Sequence, residues 1–282
     1  MPERLITFFV AVIFILAGCT PQIRQPTKIC PGRDSVADAL AALQSHSQNA
    51  VPLKAHGDCR LEYYVEGKTK PQRESLNIKL RVNPPAEIYL QGDKPLVSKA
   101  MVLGSNEREF WLAIRPKEIS LYCWGLWSEQ DSGGGLVINP RTLLEALGIE
   151  QIDAEQDWSL SNEGAFDVLT KRERGVVTKK IHIFSCDYRV RKIEFFDTKG
   201  QAIASAELDR YKKVSESFFV PALIKVTTFA RNDEEYPFSV TLNLTSIKSN
   251  KKWPSLLFDR REPKGFKHVE RIVNGRFIEQ PQ

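Results

Sequence analysis

The sequence predicts a mainly β protein of the α+β class, built on an antiparallel sheet. Many short stretches alternate apolar and polar residues with turn signals between them, and only two stretches of the body carry helical periodicity. Strands that follow one another with short turns indicate a meander. A third observation concerns the N-terminus, where an apolar run ends in a cysteine and predicts export.

Residues 5–17 are apolar except Thr7, which is too short for the roughly 20 residues that span a bilayer and fits a signal-peptide core. Leu16-Ala17-Gly18-Cys19 resembles the bacterial lipobox. Small side chains at 17 and 18 let a peptidase reach the backbone, and Cys19 is the expected lipid anchor. Each buried methylene adds about 0.8 kcal/mol, so two or more acyl chains hold stably. Thr20 in place of aspartate favours the outer membrane, facing the periplasm. The expected organisation is a signal peptide at 1–18, a lipidated tether at 19–33, a folded domain at 34–249 and a basic extension at 250–282.

The body opens on a helix over 34–48, capped by Asp34 or Ser35, with Val36, Leu40 and Leu43 on one stripe. Pro52 ends it. Strands are expected at 54–66 and 75–82, where Leu76, Ile78, Leu80 and Val82 alternate. Asn83-Pro84-Pro85 breaks the run before 86–91. A hairpin over 99–104 and 109–114 follows, then the aromatic strand 119–127. Asn139-Pro140 opens a short helix over 141–147 with Leu143, Leu144 and Leu147 on one face, and Gly148 ends it. The glycine run at 133–135 reads as a hinge for a lid or as an ordinary loop. Strands resume at 176–185, 188–197, 202–211, 223–231 and 238–246, with Asp197-Thr198-Lys199-Gly200 as a turn. The extension interleaves Trp253, Phe258 and Phe266 with basic residues and is expected to pack on the domain or to touch a membrane surface.

Composition narrows the function classes. Apolar residues make up 42% of the chain, enough for a core. A net charge of +5 spread along the chain does not support nucleic-acid binding, which export also opposes. Beyond Cys19, the cysteines are Cys30, Cys59, Cys123 and Cys186, which allow three pairings. Cys30–Cys59 is the expected one, stapling the start of the domain to its first strand. The last three also read as small buried hydrophobes in strands.

The stretch from Arg191 to Gly200, followed by Gln201–Leu208, resembles the hairpin of LolA/LolB-type lipoprotein carriers and receptors. Lys54-Ala55-His56-Gly57 is similar to their first strand, and Val82-Asn83-Pro84-Pro85 to a proline turn between early strands. The likeness rests on these motifs and on element order over residues 34–246. It implies a strongly curved sheet forming an incomplete barrel, with the N-terminal helix and the short mid-chain helix covering its concave side. It also implies a cavity for an acyl chain, a lipid or a lipoprotein. The chain departs from the soluble carrier in carrying a lipobox and a basic extension.

A search for chemistry turns up no GxSxG, HExxH, P-loop or GxGxxG pattern. The histidines at 46, 56, 182 and 268 lack metal-ligand spacing, so no metal, cofactor or catalytic residue is expected. Tyr63, Leu80, Tyr89, Phe110, Leu112, Ile114, Leu121 and Trp124 are the candidate cavity lining, closed by Leu143, Leu144 and Leu147. The same residues suit a filled core. Binding of a hydrophobic ligand therefore stands beside docking of an envelope protein partner, and beside a hydrolase with a dispersed site.

Overall fold

A computed structural model describes residues 29–64, 70–116, 119–129, 139–230 and 237–280. Cys19, the expected signal peptide, most of the expected tether and the glycine run lie outside the described residues. The described elements and both cysteines of the disulfide fall within 29–280.

Helix α1 (Val36–Gln48) starts where the Ser35 hydroxyl accepts the Asp38 backbone N–H at 3.1 Å. Ala39, Leu40 and Leu43 form its buried stripe, with Val36 at its edge. Strands β1 (Leu53–Tyr63), β2 (Gln72–Asn83), β3 (Glu87–Lys94), β4 (Val97–Ser105), β5 (Glu109–Ile114) and β6 (Leu121–Leu126) form a meander in chain order. Helix α2 (Pro140–Ala146) carries a reciprocal cap between Asn139 and Thr142. Gly148, at φ 73°, ends it in a conformation that glycine adopts freely.

The chain then crosses to the far edge and returns inward. Strands β7 (Asp157–Glu163), β8 (Phe166–Glu173), β9 (Val176–Phe184), β10 (Arg189–Phe196), β11 (Ala202–Asp209), β14 (Leu223–Thr228) and β15 (Ser239–Ser249) form this second meander. A small separate hairpin, β12 (Lys212–Lys213) with β13 (Phe219–Val220), interrupts it. Strand β15 pairs antiparallel with β1, so the two meanders join into one 15-stranded sheet whose edges are β7 and β17 (Arg276–Glu279). Gly57 sits at a register shift in that seam, where a Cβ would fall 2.0 Å from the Asn243 carbonyl oxygen. The Asp197 turn forms as expected. Its carboxylate accepts the backbone N–H groups of Lys199 and Gln201, and Gly200 adopts φ 77°.

Three differences from the sequence reading have physical causes. Strands β7 and β8 are absent from it because the pattern is obscured. The β7 strand is a polar edge, and β8 buries Asp167 among Val168, Leu169 and Thr170 instead of alternating. The last part of the chain adds two strands to the sheet. β16 (His268–Val273) pairs in parallel with β6, and β17 (Arg276–Glu279) hairpins onto it.

The third difference is the disulfide, which joins Cys30 to Cys186 and not to Cys59. A disulfide needs Cα atoms within about 7 Å. The 13 residues of α1 span about 20 Å and carry the chain from Cys30 to β1. The segment before α1 lies instead on the β8–β10 end of the sheet. There Arg33 donates its backbone N–H to Asp167 at 2.8 Å, and its guanidinium lies 4.8 Å from the Tyr188 ring. Cys59 and Cys123 are free and buried, which matches their other reading as small hydrophobes, and burial pushes both thiols up to about 12.

Candidate functional site

Alternation along the strands assigns each side chain to one of two faces. The inner face carries Leu76, Ile78, Leu80 and Val82 of β2, paired across to Leu90 and Ile88 of β3. Leu40 and Leu43 of α1 and Leu143, Leu144 and Leu147 of the α2 region join the same buried cluster. The packing leaves a gap of about 50 Å³ beside the two helices, bordered by His46, Glu145, Glu150 and Tyr211. At roughly 15 Å³ per water this holds a few waters and no acyl chain.

Charge around that gap is handled locally. Lys179 bonds both Glu145 oxygens at 2.8 Å, and Arg141 lies 3.1 Å from Glu150. Burial, reinforced by the neighbouring Glu145, raises the Glu150 carboxyl to about 7. Burial, with some repulsion from Arg189, lowers the His46 imidazole below its ordinary value.

The outer face holds a recess of about 650 Å³, within the size range of small-molecule sites. Its floor is built from the opposite parity of the same strands. Trp111 of β5 pairs across to Gly104 of β4, and a Cβ at 104 would fall 2.3 Å from the indole. Glycine there is what lets Trp111 lie flat on the sheet. Val102, Ala113 and Tyr122 complete the buried floor with Trp111, and Phe266 packs on them, its ring centroid 5.4 Å from that of Tyr122. Tyr89 packs at its margin.

The far wall is the segment 253–266, which is strapped across the outer face by side chains of the sheet. Buried Asn83 donates to the Trp253 carbonyl at 3.0 Å and accepts the Trp253 backbone N–H at 2.9 Å. Asn106 donates to the Phe258 carbonyl at 3.0 Å, and Phe258 is fully buried. The Tyr122 hydroxyl donates to the Arg261 carbonyl at 2.7 Å. Leu256, 75% exposed, sits on the rim.

Arg81, Lys99, Arg115 and Arg261 line this recess, together with Asp259 and Glu262. Arg81 lies 5.9 Å from the Tyr89 ring and 5.6 Å from the Trp253 ring, and Arg115 lies 4.9 Å from the Phe266 ring. Burial raises the Tyr89 phenol, and Arg81, Arg261 and Arg115 each oppose that rise.

The residues singled out in the sequence divide between the two faces. Leu80, Leu143, Leu144 and Leu147 are buried in the inner core, and Leu112 packs against it. Tyr63, Ile114 and Leu121 share the inner face by register and are half-buried. Phe110 belongs to a smaller cluster with Cys123 and Ile272. Tyr89 and Trp124 point to the outer face, so the eleven residues do not surround one cavity. Trp124 lies outside the recess lining, between Arg260 at 4.2 Å and Arg271 at 5.2 Å. Trp111, Arg81 and Arg115 were not singled out from sequence, whereas Trp253, Phe258 and Phe266 of the strap were, as aromatics packing on the domain. The small Gly104 beside an aromatic strand was the available signal for the floor.

An open antiparallel sheet with two helices on one face and a strapped recess on the other defines the class. No protein-family model and no curated protein matches the chain. Solved structures do. A putative outer membrane lipoprotein-sorting protein domain from Vibrio parahaemolyticus aligns at TM-score 0.52 and 11% identity, over 79% of this chain and 95% of that one. A DUF1329 family protein from Desulfovibrio piger aligns at TM-score 0.53 and 13% identity, over 81% and 98%. A LolA superfamily protein from Nitrosomonas europaea aligns at 0.49 and 10%, over 79% and 97%. The body of this chain therefore shares its fold with the Vibrio parahaemolyticus and Desulfovibrio piger structures.

Proposed function

We propose that this protein is an envelope lipoprotein, anchored through lipid on Cys19, that binds an acyl chain or another hydrophobic ligand without bond chemistry. The observation that carries the reading is the recess of about 650 Å³ with Trp111, Tyr122 and Phe266 on its apolar surfaces. Apolar burial in a site of this size supplies reversible affinity. The shared fold supports a role in lipid or lipoprotein handling, with the sheet curling as an incomplete barrel. In this reading the ligand occupies the outer face, because the inner face is filled by the leucines of the two helices. In this reading lipid on Cys19 holds the protein in the envelope, and Thr20 after it favours the outer membrane, facing the periplasm.

The test uses residues 28–282, stripped of lipid and titrated with a fluorescent long-chain fatty acid. Saturable uptake at one site, weakened by Trp111→Ala, is expected. An empty protein in native mass spectrometry that also fails to take up the probe refutes the reading. Cys19→Ser in the full chain is expected to leave the membrane fraction, and continued membrane attachment refutes the anchor. Exposed Leu256 beside the recess favours a second reading, in which the same surface docks an envelope protein.

A further inference from the structure

We propose that the outer-face recess selects a single acyl chain bearing an anionic head group, a carboxylate or a phosphate, clamped by Arg81, Arg115 and Arg261. The proposal rests on the ligand-binding reading above and specifies the chemistry of that same site.

The first argument is charge left over. Arg260 and Arg271, on the same C-terminal part of the chain, pair with Glu109 and Glu129. None of the four cations that line the recess has a carboxylate within 4.0 Å among the described residues. The carboxylates nearby are committed or outnumbered. Asp93 accepts from Lys79, Gln91 and the Lys99 backbone N–H, at 2.9, 2.8 and 2.7 Å. Its carboxyl is held down to about 2 by these bonds, although burial works against it. That leaves the Lys99 ammonium without this partner. Glu262 lies 3.9 Å from Lys264 outside the recess. Four cations against Asp259 and Glu262 leave the lining positive.

The second argument is geometry. A guanidinium lying over a ring keeps its N–H edges free, and those edges match the two oxygens of a carboxylate or phosphate. Arg81 is stacked between Tyr89 and Trp253, and Arg115 lies over Phe266. Arg261 is positioned by its own carbonyl, which accepts the Tyr122 hydroxyl. Arg81, Arg261 and Arg115 each oppose the rise that burial causes in the Tyr89 phenol, so all three lie within electrostatic reach of it. The floor of Trp111, Val102 and Ala113 is apolar. Basic groups on the walls and an apolar floor together suit an amphiphile better than a neutral hydrophobe.

The test compares three probes on the full chain carrying Cys19→Ser: a long-chain fatty acid, its uncharged methyl ester, and a single-chain lipid with a phosphate head. At least one anionic probe is expected to bind on the order of tenfold tighter than the ester, a difference of about 1.4 kcal/mol. That preference is expected to shrink as salt rises. Arg115 and Arg261 are exposed, so Arg115→Gln with Arg261→Gln is expected to keep the fold. The double variant is expected to remove most of the preference, bringing the affinity of the anionic probes down towards that of the ester. The two Arg→Lys changes restore charge without the planar fork and are expected to recover part of it. The tighter of the two anionic probes identifies the head group. Equal binding of ester and both anions overturns this inference and leaves the ligand-binding reading standing. Binding of none of the three overturns the ligand-binding reading itself.

Discussion

Leu147→Ala tests whether the inner face is filled or hollow. Leu147 is fully buried, directly after α2, in the cluster that joins both helices to the sheet. The substitution removes three carbons, worth about 2.4 kcal/mol at roughly 0.8 kcal/mol each. The surrounding leucines relax only in part, so a cavity term adds to this and brings the loss to about 3–5 kcal/mol. For a chain of this size, about 2 °C per kcal/mol converts that loss to a fall in Tm of about 6–10 °C. Urea unfolding followed by circular dichroism measures it, with the midpoint shifting and the slope unchanged. Leu256→Ala, at the exposed rim, is the control and is expected to change stability by less than about 0.5 kcal/mol. A loss below about 1 kcal/mol at Leu147, with fatty-acid uptake intact, would mean that the helices cover an open cavity. The placement of the ligand on the outer face would then be wrong.

Three further outcomes follow from the same geometry. Replacing Cys30 and Cys186 by serine opens a loop with a sequence separation of 156, worth about 5 kcal/mol in chain entropy and a Tm drop of about 10 °C. A shift under about 2 °C, or peptide mapping that links Cys30 to Cys59, contradicts the pairing. Glu150 has its carboxyl raised, so the folded protein holds this proton more tightly than the unfolded chain does. The stability carried by that proton is full below about pH 4.5 and is lost as pH rises towards about 7. Glu150→Gln is expected to flatten that limb. His46 contributes with the opposite sign and is unchanged between the two proteins, so an identical slope in both refutes the assignment. Asn83→Ala removes both bonds to Trp253 and is expected to cost about 1–3 kcal/mol. It should also speed tryptic cleavage at Lys251 and Lys252, and unchanged cleavage would mean that Asn83 does not hold the strap.

Local signals carried most of the architecture. Ser35, Leu40 and Leu43 marked α1, the alternation from Leu76 to Val82 marked β2, and Asn139-Pro140 with Gly148 bracketed α2. What stayed hidden depends on relations between strands. Trp124 and Phe110 both read as apolar strand residues, yet Trp124 pairs across to Trp111, and that single step of register puts it on the opposite face from Phe110. Arg81 and Arg115 looked like ordinary solvated charges, because only the strap from 253 to 266 turns their surface into a recess. Cys186 had no local feature tying it to Cys30. Their approach follows from the direction of α1 and from the buried Asp167 that receives Arg33.

The seam between β1 and β15 also governs when the sheet can assemble. Leu53 meets Ser249 there, and β6 waits similarly for β16, so each pairing closes only after most of the chain is available. A chain emerging N-terminus first would form its β1–β6 hairpins early, yet carry β1 and β6 as unsatisfied edges until the last strands arrive. Non-local pairings of this kind slow assembly and leave strand edges open to other chains in the meantime. Such a protein has its period of greatest aggregation risk before β15 and β16 arrive, and it is the kind of client that a holding chaperone would protect.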